Sequence, residues 1–346
     1  MKRKITPILF VSALLILATL NVGCISTSEN ALQQELTYSL AWKRAAFNRM
    51  KRKLSEPVLS RVQAMPADLM SAIKSNDSSI GISSSSEYTT RSASDPELEL
   101  MEAYLVLLPA AHQRVMSKKL LAIYLVNDFA GAGYTDWVLD QSGNTYYYLI
   151  LNTALFSQSL DDWLTYKDNS VFDGLSNSKI QVTTGTGYKA LLYALLHEGA
   201  HLVDYDIGVT PYVDDIHRQH TGRVNESSAF TRGVWVSQGD PFPIYDFEQR
   251  QQLNVYGIFP KRGKISASQT VTMFQQLKQT PFGSFYSGSS WNEHLADFLT
   301  YHHIEEKLGG KVKLDLLDGG EVIQSYSPMD SVLAGELKYS LNVFYH

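Results

Sequence analysis

One stretch limits the fold of this chain more than any other: Tyr193-Ala194-Leu195-Leu196-His197-Glu198-Gly199-Ala200-His201-Leu202-Val203-Asp204. Leu191, Leu192, Leu195, Leu196, Leu202 and Val203 recur at three- and four-residue intervals, which predicts a helix with an apolar stripe. On that helix His197 and His201 stand one turn apart and share a face. Two neutral imidazoles so placed can bind one tetrahedral Zn²⁺ at about 2.0–2.1 Å each. Glu198 lies about 100° round the helix and is badly placed as a ligand; it can instead reach water at the metal and take its proton. A plain core helix accounts for this less well, because a buried, unpartnered carboxylate is costly. The expectation is one zinc per chain. Asp204 is expected either behind a liganding imidazole or as a simple helix-end residue.

The N-terminus reads as a leader rather than as part of the fold. Lys2, Arg3 and Lys4 precede an apolar run, Ile8 to Leu20, too short to span a bilayer comfortably. Leu20-Asn21-Val22-Gly23-Cys24 resembles a bacterial lipoprotein signal: residues 1–23 would be removed and Cys24 lipidated. Asn21 departs from the usual aliphatic residue, and an ordinary secretory signal is the alternative. Cys24 is the only cysteine, so no internal disulfide forms. The expected location is the bacterial cell envelope, with Ile25 after Cys24 resembling the outer-membrane sorting signal of Gram-negative cells. Loss of the leader takes the formal charge from −5 to −8, which argues against nucleic acid as a partner.

Residues 24–35 read as a polar tether. Leu36 to Leu54 follows as a helix with Leu36, Leu40, Phe47, Met50 and Leu54 on one side. Its Lys43, Arg44, Lys51, Arg52 and Lys53 are expected as a solvated face, with contact to anionic headgroups the alternative. Within this helical region, 36–118, the Ser-rich run 71–94 predicts a flexible excursion. Asp95-Pro96-Glu97 predicts a helix start, and Pro109 a kink or an end. Leu121–Val126, Trp137–Leu139 and Thr145–Leu151 predict strands, so a small sheet precedes the histidine helix. Residues 311–346 read as a strand, a Gly319-Gly320 turn and a final helix. Strands grouped apart from helices give an α+β class.

A catalytic zinc takes three protein ligands and keeps one position open. Ten residues after His197 stands Ile207, which cannot bind zinc. Ser290-Trp291-Asn292-Glu293-His294-Leu295-Ala296-Asp297-Phe298-Leu299 predicts a second helix capped by Ser290, on which Glu293 and Asp297 share a side. Glu293 would bind the metal while Asp297 accepts a hydrogen bond from a liganding imidazole. Two alternatives stay open: Glu226, which also follows an asparagine, and the pair His217 and His220 in a polar run.

His197-Glu-x-x-His201-x-x-Asp204 followed by Asn292-Glu293-x-x-Ala296-Asp297-Phe298 resembles the gluzincin zinc metallopeptidases, in the branch of the anthrax lethal factor catalytic domain and the Pro-Pro endopeptidases. That family usually reads Asn-Glu-x-Phe-Ala-Glu in the second motif; here Leu295 replaces the Phe and Asp297 the last Glu. The resemblance implies a zincin-like domain over 119–346 with a small mixed sheet, an active-site helix and a second ligand helix. It also implies Tyr286, seven residues before Glu293, as the donor to a tetrahedral oxyanion. An edge strand, here Tyr146–Leu151, would pair with an extended peptide or protein substrate. Ninety-one residues separate His201 from Glu293, which marks an insertion at about 209–284. Its loops Gly239–Tyr245 and Gly257–Gly263 are expected to wall or cover the cleft. The reading is thus a lipid-anchored zinc endopeptidase. A binding lipoprotein with a structural or vestigial zinc, and a metal-dependent amidase of cell-wall peptides, are the rivals.

Overall fold

Leu120–Asn127 is apolar on both faces, so it must be covered twice. In the computed structural model, which describes residues 25–346 apart from 51–53, 80, 83, 84, 86, 175, 176 and 259–261, this strand lies inside a five-stranded mixed sheet. The leader and Cys24 lie outside the described residues. Thr145–Asn152 runs parallel to Leu120–Asn127, and Gly133–Leu139 runs antiparallel to Thr145–Asn152. Val62–Gln63 and Thr89–Arg91 pair with the other side of Leu120–Asn127. Thr145–Asn152 is therefore interior, with both edges taken, and the expectation that its 146–151 stretch receives a substrate strand is wrong. The edges are Gly133–Leu139 on one side and the short strands Val62–Gln63 and Thr89–Arg91 on the other. Gly133–Leu139 and Thr145–Asn152 both read as apolar runs, and only pairing tells inner from outer.

The period of two divides the side chains between two cores. Ile123, Leu125, Trp137, Leu149 and Leu151 face the histidine helix Leu191–Ile207, packed with the helices Asp95–Leu105, Ala110–Lys119 and Trp291–Glu306. Tyr124, Val126, Val138, Tyr148 and Ile150 face the N-terminal helices Ile25–Arg49 and Ala67–Ser79. A second sheet pairs Ser178–Thr183 with Lys313–Asp318, which turns at Gly319-Gly320 into Glu321–Tyr326. The architecture is α+β. No helix among the described residues is long and apolar enough to cross a membrane.

Several expectations need correcting. The run 71–94 is not a flexible excursion throughout: it begins inside the helix Ala67–Ser79, buries Ala72, Ile73 and Tyr88, and supplies the strand Thr89–Arg91. Its few apolar residues suffice because the sheet offers them a ready surface, a tertiary gain that composition does not show. The first helix runs Ile25–Arg49, taking in residues expected as a tether and stopping short of Leu54. Lys43 belongs to no solvated face: it is buried and its ammonium donates to Asp136 at 2.5 Å. The helix Asp95–Leu105 stops before Pro109, which instead occupies the N-cap of Ala110–Lys119. The final helix is split into Val332–Lys338 and a 3₁₀ turn, Tyr339–Phe344, and the strand Glu321–Tyr326 was not foreseen.

Arg61 joins the N-terminal region to the sheet. Its buried guanidinium donates to five carbonyls: Met116 (2.6 Å), Leu120 (2.7 Å), Leu54 (3.2 Å), Glu56 (2.8 Å) and Ser117 (2.9 Å). Three of these lie at or just past the end of the helix Ala110–Lys119, where the Met116 carbonyl accepts from the Leu120 amide and the carbonyls after it lack helical partners. An ammonium has three donors from one point and cannot reproduce that fork. Arg61→Lys is expected to cost about 2–4 kcal/mol, read by urea denaturation; a loss under about 0.5 kcal/mol would show that the carbonyls are satisfied otherwise.

Candidate metal centre

The centre is built where Leu191–Ile207 and Trp291–Glu306 pack together. Ser290 caps the second helix, its hydroxyl accepting from the Glu293 amide at 3.3 Å, and so aims Glu293 at the first helix. Glu293 Oε2 then lies 2.9 Å from His197 Nε2 and 3.5 Å from His201 Nε2. Among the described residues the group able to hold a metal is His197, His201 and Glu293, with ligand atoms all within 4.8 Å of one another. Ligands about 2.0–2.1 Å from a tetrahedral ion stand about 3.3 Å apart. Donor types and spacing therefore fit Zn²⁺.

Behind His197 stands Asp297. Its Oδ1 accepts from His197 Nδ1–H (3.0 Å) and the Tyr193 hydroxyl (2.8 Å). Its Oδ2 accepts from the Lys167 ammonium (2.6 Å) and the hydroxyls of Ser284 (2.5 Å) and Ser287 (3.3 Å). Burial would raise the Asp297 pKa, but Lys167 and His197 hold it far below the usual carboxylate range. Burial would lower His197, yet its hydrogen bonds to Asp297 and Glu293 bring it to about 10. Burial would likewise raise Glu293, and the two imidazoles drive it well down instead. The three groups thus balance one another's charge where a cation would sit.

Glu198 lies on the wall of the same cleft as His197, His201 and Glu293, with its carboxylate held at the sheet edge. The Thr135 hydroxyl lies 2.8 Å from Glu198 Oε2 and 3.0 Å from the Glu198 carbonyl. Burial raises the pKa of Glu198. Gly133 is required beside it: a Cβ there would stand 2.7 Å from the Ile150 carbonyl oxygen and 3.1 Å from Glu198 Cγ. The Tyr286 ring stacks on His197 at 5.7 Å between centroids, and burial keeps its hydroxyl protonated. Tyr256, a non-glycine residue at φ 58°, packs edge-on against Tyr286 at 5.9 Å. A cleft of about 230 Å³ exposes Gly133, Tyr134, Thr135, Glu198, Tyr286 and Glu293.

Other expected residues sit elsewhere. Asp204 does not touch an imidazole; it accepts from the Thr210 amide (2.7 Å) and hydroxyl (2.6 Å) and from Asn292 Nδ2 (3.3 Å), tying the two helices together. Glu226 is exposed on a turn outside the ligand group. His217 packs against Trp137 and Tyr205, and His220 stacks on Trp137, so neither joins the centre. Of the insertion, Val213, Asp214, Ile258 and Arg262 line the cleft, whereas Phe242 and Ile244 in the first loop face solvent. Lys167, Tyr193, Ser284 and Thr135 went unread in the sequence. Only Tyr193, one turn before His197, carried a local signal.

Comparison of the chain with protein-family models, with curated proteins and with solved structures finds no match to any of them.

Gly199, between the two histidines, allows His112 to lie against the helix and donate from Nε2 to the Leu196 carbonyl at 2.9 Å. A Cβ at 199 would come within 2.1 Å of His112 Cδ2. Gly199→Ala is expected to destabilise the fold by about 1–3 kcal/mol. Combined with His112→Ala, the total should fall short of the sum of the single costs in urea denaturation; strict additivity would mean the two residues do not collide.

Proposed function

We propose that this chain is a zinc metallopeptidase with a zincin-like domain, anchored in the bacterial cell envelope through Cys24 and acting on peptide or protein substrates. The observation that carries the reading is the placing of Glu198 beside a three-ligand set that opens on a cleft. His197, His201 and Glu293 would hold the ion. When bound, zinc supplies Lewis acidity, polarising a carbonyl and making water easier to deprotonate.

The chain's own groups do the remaining work. Glu198 takes a proton from the attacking water and delivers it to the leaving amine nitrogen. Thr135 holds one oxygen of that carboxylate, which leaves the other for the proton. Tyr286, kept protonated by burial, donates to the oxyanion. Gly133–Leu139 has one neighbour in its sheet, and its half-buried start, Gly133 and Tyr134 at the cleft, is where an extended substrate would add as a further strand, its backbone running past Glu198. The lack of a fourth His, Cys, Asp or Glu ligand among the described residues favours this reading over a closed structural zinc.

Glu198→Gln is expected to keep about one zinc per chain and lose about 10²–10⁴-fold of chelator-sensitive hydrolysis of casein or a peptide library. Undiminished hydrolysis would remove Glu198 as the base. Cleavage of peptidoglycan alone would point to the amidase.

Glu293→Ala is expected to empty the site by elemental analysis, whereas Glu226→Ala leaves zinc content unchanged. The opposite pattern would transfer the third ligand to Glu226.

A further inference from the structure

Lys167 is a lysine with no exposure at all, on the helix Leu160–Asn169, and no step of the proposed reaction uses it. Its ammonium lies 2.6 Å from Asp297 Oδ2, 3.1 Å from the Tyr301 hydroxyl, 3.4 Å from the Tyr193 hydroxyl and 3.5 Å from Ser284 Oγ. It also sits over the Tyr193 ring, 4.8 Å from its centroid. Burying an ammonium and a carboxylate costs several kcal/mol per ion unless geometry and extra hydrogen bonds compensate. Here they do, and the pair stands directly behind His197 rather than in an arbitrary part of the core.

We propose that Lys167 is a positioning residue for the candidate metal centre: it neutralises Asp297 and holds Oδ2, which leaves Oδ1 to brace the His197 ring. The inference rests on the zinc reading above. His197 Nδ1 meets Asp297 Oδ1 at 3.0 Å and the Tyr193 hydroxyl at 3.2 Å, and because that hydroxyl itself donates to Asp297 Oδ1, both contacts that orient the ring depend on the carboxylate. Without Lys167, Asp297 becomes a buried anion with only neutral hydroxyls and one imidazole around it. The carboxylate then has every reason to turn toward water, taking the brace from His197 with it. The neighbouring acid does not replace the lysine's role. Asp168 turns to the Phe285 amide, which donates to its Oδ1 at 3.1 Å.

A second buried pair supplies the control. Lys43 and Asp136 meet at 2.5 Å, equally buried, but face the N-terminal core, and Asp136 is braced by Tyr148. Among the described residues no hydrogen bond joins that pair to His197, His201 or Glu293.

The test is zinc affinity of the full-length protein, stripped and titrated against a chromophoric chelator. Lys167→Met is expected to weaken zinc about 10–100-fold. Lys167→Met with Asp297→Asn removes both charges together and should bind several-fold more tightly than Lys167→Met alone. Lys43→Met with Asp136→Asn should keep wild-type affinity. Wild-type protein that takes up no zinc sinks the functional reading and this inference together. If the wild type binds zinc, three results overturn the role of Lys167 alone: unchanged affinity in Lys167→Met, a double variant no better than the single, or an equal loss from the control pair. Should Lys167→Met fail to fold, the double variant decides. Folded, with zinc held more weakly than in the wild type but within about 100-fold of it, it supports the role; unfolded, or folded with wild-type affinity or with none, it overturns it.

Discussion

A carboxylate buried to the last atom is the interaction on which the middle of this molecule turns. Asp297 gathers donors from three segments: the helix Leu160–Asn169, the helix Leu191–Ile207, and the turn with Ser284 and Ser287 before its own helix. Each donor offsets part of a desolvation penalty that none could meet alone. The consequence is geometric. Elements far apart in the chain must dock in one relative orientation, because any slip leaves a charge unmatched in an apolar core. Two helices held that firmly can present His197, His201 and Glu293 at separations of 2.9 and 3.5 Å about Glu293 Oε2 without an ion to gather them.

Around this centre the supporting contacts divide the labour. Asp204 and Asn292 join the ends of the same two helices away from the imidazoles. Thr135 connects the sheet edge to Glu198, so the acid is oriented from the strand rather than from its own helix. The glycines at 133 and 199 permit these approaches by absence of a side chain. The insertion, which the sequence spacing sets apart, packs Phe230, Trp235, Met273 and Phe274 into the same core as the histidine helix. Its Tyr256 holds a left-handed backbone to reach Tyr286, a strained conformation of the kind found near functional sites.

What could be read from the sequence was what local pattern carries. The apolar stripe around His197 and the cap at Ser290 are written within a dozen residues each, and both helices lie where those signals put them. Strand existence was equally plain, since runs such as Leu120–Asn127 have few alternatives. Strand order was not, because the choice between an inner and an edge strand for Thr145–Asn152 depends on partners elsewhere in the chain, on Leu120–Asn127 and Gly133–Leu139. Lys167 shows the same limit. It meets Asp297 across 130 positions, and nothing in Trp163–Asn169 distinguishes a buried lysine from a surface one. Lys43 was misread for that reason, and Ala67–Ser79 because a Ser-rich composition hides a helix that the sheet stabilises from outside.

The distance along the chain between His197 and Glu293 has a temporal side. Their contact spans 96 positions, and contacts of such range form late, after loop-closure entropy has been overcome. A chain emerging from its N-terminus presents the two imidazoles and Glu198 long before the third acid exists to join them. The intervening core residues must first find their places, and only then can the second helix close. On the proposed reading, the nascent polypeptide would be spared hydrolysis at the centre until the helix carrying Glu293 has been made and docked.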